Sequence, residues 1–253
     1  MKMHFLDGGR LRMKKRVFVP GADREEMIEM PVISTLFRHA KGNVLFDTGC
    51  HPSVGADAEA RWGGLARFMT PIAPPETNVV NSLAEAGLVP EDIDIVVNSH
   101  LHPDHCGCNE FFTKAEFFCH EEELAAAGVE EAEKVGYLRA EWDHPMPMHA
   151  ITSDYDVFGD SRLVTIALPG HTPGMTGLRA ELHRDGEFFI ASDAVSLKRN
   201  LDNDEAPINA WDAEKLLASY DTVRERERAG ATIICGHDDE QWQRLKTGVE
   251  TYE

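Results

Sequence analysis

The sequence contains no apolar run of about eighteen residues, the length at which a stretch reads as a membrane-crossing helix. It is also short of positive charge: 25 Lys and Arg stand against 44 Asp and Glu, a formal net charge of −19. Such an excess repels a phosphate backbone unless a basic groove overrides it. None is visible, since Arg224, Arg226 and Arg228 alternate with Glu225 and Glu227 as on a solvated helix face. Nucleic acid is therefore not an expected partner. Cysteine is sparse and odd in number, five in 253 residues, which excludes a disulfide framework. The stretch 1–16 is broken by Asp7, Gly8 and Gly9 and has no apolar core of signal-peptide length, so the cytoplasm is the expected compartment. No short-period repeat is present, and a solenoid is excluded.

What is present is the composition of one globular domain spanning residues 1–253, with 42% hydrophobic and 27% charged residues. Residues 32–38 and 43–47 predict two strands joined at Lys41–Gly42. Residues 93–98 form an apolar run of the kind buried on both faces, and residues 163–168, 187–191 and 232–235 repeat that character. Helical patterns cover 78–86, 121–127 and 212–229, with Gly87 and Gly230 as stops and Asp212 as an N-cap. This order predicts two sheets packed face to face with helices outside. Residues 57–75, with Arg61, Trp62, Leu65, Phe68, Met69 and three prolines, read either as a packed surface excursion or as a pocket wall.

One segment stands out: Asn98-Ser99-His100-Leu101-His102-Pro103-Asp104-His105. Four metal-competent side chains lie within six residues, directly after a buried strand. His100 and His102 can converge on one ion while Asp104 and His105 turn toward a second. Further ligands should stand at other strand ends, and His171, Asp193 and His237 are each the first strong ligand after a predicted strand. Cys50, Cys106, Cys108 and Cys235 read as small buried residues rather than ligands. His120, His144 and His149 read as structural or surface residues, whereas His39 and His51 are candidates for a pocket mouth.

The run His100-x-His102-x-Asp104-His105, with His171, Asp193 and His237 downstream, resembles the metallo-β-lactamase superfamily. Asp47 in Phe46-Asp47-Thr48-Gly49 matches its strand-end aspartate, which supports the metal loop without binding metal. The resemblance implies a four-layer αββα sandwich with the metals at one edge between the sheets. Within the superfamily, Leu6-Asp7-Gly8-Gly9, Asn98-Ser99-His100 and Cys106-Gly107-Cys108-Asn109 are similar to the lactonase branch, which includes N-acyl homoserine lactonases and 4-pyridoxolactonases. That likeness implies His100, His102 and His171 around one cation, Asp104, His105 and His237 around the other, and Asp193 bridging. It further implies two divalent ions per chain, zinc first among them, a small-molecule lactone as substrate and a homodimer. A hydroxide shared by the two ions would attack the lactone carbonyl, and Asp104 would carry a proton to the leaving alkoxide.

One position departs from the branch. Homoserine lactonases usually carry a tyrosine three residues after the bridging aspartate, and here Ser196 stands there. Its shorter hydroxyl puts the homoserine lactone preference in doubt and raises 4-pyridoxolactone or another lactone as the alternative substrate. Phe18, Trp62, Phe68 and Met69 are candidates to hold an acyl chain or aromatic ring. A glyoxalase II-like thioesterase would share the ligands but usually adds a basic helical region after the last histidine. An RNA-processing nuclease is opposed by the −19 charge. An iron-dependent sulfur dioxygenase would use a single ion, and diiron flavoproteins usually have an acidic residue where this chain has His102.

Overall fold

Side-chain alternation along the strands decides the layering. In the computed structural model, which describes residues Met1–Glu253, Phe5 on β1 (Lys2–Lys14) joins a core between two sheets, while Leu6 packs on the opposite face. The first sheet adds β2 (Met27–His39), β3 (Gly42–Phe46), β4 (Thr70–Pro71), β5 (Ile95–Val97), β6 (Glu116–His120) and β7 (Met148–Ile151), in the order β4-β1-β2-β3-β5-β6-β7. The second comprises β8 (Tyr155–Asp156), β9 (Leu163–Ala167), β10 (Thr176–Leu182), β11 (Gly186–Ser192) and β12 (Thr232–Cys235), in the order β12-β11-β10-β9-β8. Phe37, Phe46, Val97 and Phe118 from one sheet meet Leu178, Phe188, Ile190 and Ile234 from the other.

Each sheet is covered on its outer face as well. Eight helices are present: α1 (Val54–Trp62), α2 (Val79–Glu85), α3 (Pro103–Cys106), α4 (Glu121–Ala127), α5 (Arg139–Trp142), α6 (Lys198–Asn203), α7 (Ala213–Arg228) and α8 (Asp239–Trp242). Val79 and Leu83 of α2 pack on Leu6, Leu36, Leu45 and Val96. On the second sheet, α7 lays Leu216, Tyr220 and Val223 on Phe189 and Ile233. The i, i+4, i+7 spacing of that α7 triplet is one helix face, and burying each side chain contributes roughly 1.5–3 kcal/mol. Asp212 caps α7 as predicted, its carboxylate accepting the Lys215 N–H at 3.0 Å. The result is the α/β/β/α sandwich expected from the sequence.

Two features of the fold bear on the site. The N-terminal stretch interrupted by Asp7, Gly8 and Gly9 is nonetheless a thirteen-residue strand, paired with β2 along its length and bulged between Asp7 and Gly9. Of the two readings of residues 57–75, the pocket wall holds: α1, a short 3-10 turn and β4, with Leu65 and Met69 packed near Trp62. The loop after β3 touches the β1 bulge so closely that a Cβ on Gly49 would lie 2.6 Å from the Gly8 carbonyl oxygen. Gly49 also has φ of +70°, so glycine is required there for two reasons.

Candidate metal centre

Parallel pairing brings the chemistry-bearing loops to one end of the sandwich. β3 and β5 are parallel neighbours, so Asp47 and the segment from Asn98 leave the first sheet side by side. β11 and β12 are parallel in the second sheet, which sets Asp193 beside His237. His171 arrives from the turn between β9 and β10. This is the carboxyl-end crevice where α/β sheets commonly place ligands. Five imidazoles and two carboxylates meet there, every one buried except His102, which is half-buried.

The donor atoms form two groups. His102 Nδ1 lies 3.1 Å from His100 Nε2 and 3.1 Å from His171 Nε2. Nitrogens held by one tetrahedral zinc at ~2.05 Å stand about 3.3 Å apart, so this triad has the spacing of a ligand set. In the second group, His105 Nε2 lies 3.5 Å and His237 Nε2 3.6 Å from Asp104 Oδ2. Asp193 spans the two: Oδ2 is 3.4 Å from His171 Nε2, and Oδ1 is 3.0 Å from His237 Nε2 and 3.4 Å from His105 Nε2. One oxygen per group is what a bridging carboxylate offers.

Outer partners fix the tautomers. Asp47 Oδ2 accepts the His105 Nδ1–H at 2.9 Å, and the Pro31 carbonyl accepts the His237 Nδ1–H at 2.8 Å. The Val135 carbonyl faces His102 Nε2 at 3.3 Å. In each ring the other nitrogen keeps its lone pair for the centre. Asp47 also accepts the Ser99 N–H and hydroxyl, both at 2.7 Å, and Ser99 Oγ in turn receives the His100 Nδ1–H at 3.0 Å. One carboxylate therefore orients a ligand in each group. Asp47 and Ser192 both hold positive φ, 60° and 47°, a cost concentrated at the strand ends that build the site.

The residues fit a pair of cations. His105 Nε2 and Asp193 Oδ1 are buried and have no hydrogen-bond partner, although buried polar atoms are nearly always satisfied. No Lys or Arg reaches Asp104 or Asp193. Burial acts first at His100, Asp104, His105, His171, Asp193 and His237. It holds His100 well below and His171 down at about 3, favouring neutral rings that can ligate. Against burial, Asp104 and Asp193 raise His105, and Asp193 raises His237. His105 and His237 in turn hold both carboxylates below their ordinary range. The second group thus wants positive charge among its carboxylates, which a divalent cation supplies.

An apolar cavity of about 560 Å³ opens beside this centre. Its lining runs from Met13 and Val17 through Leu65, Phe68 and Met69 to His102, Val135 and Ile208. Phe68, 74% exposed, and Met69 stand on it as the sequence suggested. Two other candidates do not. Trp62 is 2% exposed, and its Nε1–H donates to Glu141 at 3.0 Å, which makes it an anchor of the wall. Phe18 is buried against Val19, Met30 and Leu197 because β2 and the Leu197 turn close over its ring. Ser196 is 1% exposed with its hydroxyl unpartnered, and what it gives the site is its carbonyl, which accepts the His237 N–H at 2.9 Å.

The remaining candidates sort by geometry. His39 lies on the β2–β3 hairpin, pairs with Asp160 at 3.0 Å and stacks on Phe158, away from the cavity. His51 stacks on Phe111 and faces Glu110, and burial followed by the Arg61 charge lowers its pKa to about 4. The Cys106 and Cys108 thiols donate to the carbonyls of His102 and Cys50, and burial pushes both pKa values up, so neither is a ready thiolate. Sequence reasoning did not reach Ser99, Ser192, whose hydroxyl lies 3.3 Å from Asp47 Oδ2 and 3.0 Å from Ser99 Oγ, or Glu123, whose carboxylate accepts the N–H groups of Leu101 and Gly174. Ser99 adjoins the ligand run, but nothing local marks Glu123.

A two-sheet sandwich with imidazoles and carboxylates gathered in two groups at its strand ends defines a dinuclear metalloprotein of hydrolase type. The chain belongs to the metallo-β-lactamase superfamily, whose family model matches residues 28–237. It is 28% identical to the N-acyl homoserine lactonase AttM of Azorhizobium caulinodans, over 100% of this chain and 99% of that one. It is 30% identical to an N-acyl homoserine lactonase of a Bacillus species, over 98% of each. Among solved structures, an N-acyl homoserine lactone hydrolase with the product N-hexanoyl-L-homoserine at its catalytic metal centre matches with a TM-score of 0.89 and 27% identity. That match covers 99% of this chain and 98% of the other.

Proposed function

We propose that this protein is a dinuclear metal-dependent lactonase that opens the ring of N-acyl homoserine lactones. The observation that carries the reading is the apolar cavity reaching His102 beside the two ligand groups. It offers an acyl chain an apolar wall, Leu65, Phe68, Met69 and Ile208, next to the position of the chemistry. The near full-length likeness to lactone hydrolases supports it. His100, His102 and His171 would hold one cation, Asp104, His105 and His237 the other, with Asp193 shared. Zinc is the cation this N/O set suits first. Bound there, two divalent ions would supply a nucleophile from water at neutral pH and polarise the lactone carbonyl.

The chain's own residues do the rest. Asp104, with Oδ2 turned to His105 and His237, takes the attacking nucleophile's proton at Oδ1 and returns it to the ring oxygen as the C–O bond breaks. Asp47, acting on His105 directly and on His100 through Ser99, holds the imidazoles in register throughout.

A second reading, the same ring opening on another lactone such as 4-pyridoxolactone, is favoured by Ser196, whose buried hydroxyl does not line the cavity. Proton release at constant pH separates the two, using metal-loaded protein, a chelated control and a panel of short- and long-chain acyl homoserine lactones, 4-pyridoxolactone and a plain γ-lactone. Chelator-sensitive release on acyl homoserine lactones is expected. Release only on the others moves the substrate, and silence across the panel overturns the lactonase reading.

A further inference from the structure

The two ligand-bearing loops of the first group are joined by a residue from outside the site. Glu123 lies in the first turn of α4, fully buried, with no Lys or Arg paired to it. Its Oε1 accepts the N–H of Leu101, the residue between His100 and His102, at 3.0 Å. Its Oε2 accepts the N–H of Gly174, three residues beyond His171, at 3.1 Å. The two oxygens thus clamp one loop from each sheet. Gly174 is packed so tightly that an added Cβ would lie 2.3 Å from the Glu123 nitrogen and 2.6 Å from its Cβ. A backbone bond from the Thr176 N–H to the Ser99 carbonyl, 2.9 Å, joins the same loops one step further from the ligands.

A buried carboxylate is costly unless its oxygens find partners, and here each oxygen accepts an amide from a different ligand-bearing loop. His102 Nδ1 and His171 Nε2 sit 3.1 Å apart across the junction that Glu123 spans, since His102 and His171 come from different sheets. We propose that Glu123 is a positioning residue that sets the spacing of the two loops carrying His100, His102 and His171. The inference rests on those three histidines being ligands. It makes Glu123 a determinant of one cation's affinity and leaves the Asp104–His105–His237 group to its own supports, Asp47 and the Pro31 carbonyl.

The test is titration of chelator-stripped protein with cobalt(II) against a competing chromophoric chelator. Visible absorption reports each coordination sphere, and thermal unfolding of the stripped protein runs in parallel. Wild type should take up two ions. Glu123→Gln replaces one acceptor oxygen by an amide that opposes an N–H. It should bind one ion as wild type does and the other about 10- to 100-fold more weakly, with an altered spectrum for that ion alone. Glu141→Gln, a buried carboxylate tied to no ligand loop, should lower the unfolding temperature and leave both affinities intact. Should Glu123→Gln not fold, Glu123→Asp, too short to hold both amides at once, should show the same one-ion split. Two unchanged affinities overturn the proposal. So does equal weakening of both in step with lost stability, the result of a merely structural role. Wild type that binds no cobalt overturns the ligand reading itself, which keeps the two failures distinct.

Discussion

Two regions of this molecule bury carboxylates and resolve the charge in opposite ways. Glu141, fully buried behind the cavity wall, is enclosed by the protein's own donors. Arg61 Nε lies 2.8 Å from Oε1 and Nη2 2.9 Å from Oε2, while Trp62 Nε1 is 3.0 Å from Oε1. Burial raises its pKa, and Arg61 works against that rise. Asp104 and Asp193 are buried as deeply but see only imidazoles, and Asp193 Oδ1 has no hydrogen-bond partner at all. Where a buried carboxylate serves stability, the fold provides the cation. Under the proposed function, Asp104 and Asp193 would instead take a cation from solution.

Four changes would break or sharpen that contrast. Asp193→Asn should have the largest effect. It removes the group common to both ligand sets, and loss of turnover with metal content below two ions should exceed the roughly 10- to 100-fold cost of losing an outer partner. Arg61→Met should act on stability instead. Leaving Glu141 buried and uncompensated costs about 3 kcal/mol, roughly 6–12 °C in Tm for a chain of this size, with two ions still bound. A metal-depleted Arg61→Met protein would show that the regions are not separable. Asp47→Asn should weaken cation binding by about tenfold, because His105 and His100 lose a charged anchor while their own donor atoms stay in place.

The smallest effect concerns pH. His4 is buried, its Nε2 has no partner, and burial lowers its pKa below the ordinary 6.5, with Arg38 and Lys2 adding to the fall. The folded state therefore holds His4 neutral, and the unfolded chain protonates first. Its contribution is complete above the unfolded pKa near 6.5 and is lost as pH falls through and below it. His4→Leu should cost about 1 kcal/mol at pH 7.5 for the lost bond to the Gly248 carbonyl. Unfolding midpoints of chelator-stripped protein between pH 7.5 and 5 should then fall less steeply than in wild type, and parallel slopes would assign the acid sensitivity elsewhere.

Much of the site was legible because strand ends are local. A buried run followed by His100, His102, Asp104 and His105 needs no tertiary knowledge to be read as a ligand loop, and His171, Asp193 and His237 follow the same rule one strand at a time. The helix over 213–228 was legible from its N-cap and apolar spacing. The first strand was not, since Gly8 and Gly9 interrupt the pattern and its pairing with β2 outweighs the local signal. Trp62 and Phe18 were misplaced for a related reason. An aromatic residue on an irregular segment gives no sign of which way it turns, and here both turn into packing.

The family and the candidate donors that gather at the strand ends were readable from sequence alone, because residue type and strand-end position are written in short segments. Folding in three dimensions settled which nitrogen of each histidine is free, which oxygen of Asp193 faces which group, which partners the sequence-predicted Asp47 holds, and that Glu123 joins the two loops. Those contacts join residues 22 to 58 positions apart. Such contacts exist only once the two sheets have closed on their shared core and brought the ends of their strands together.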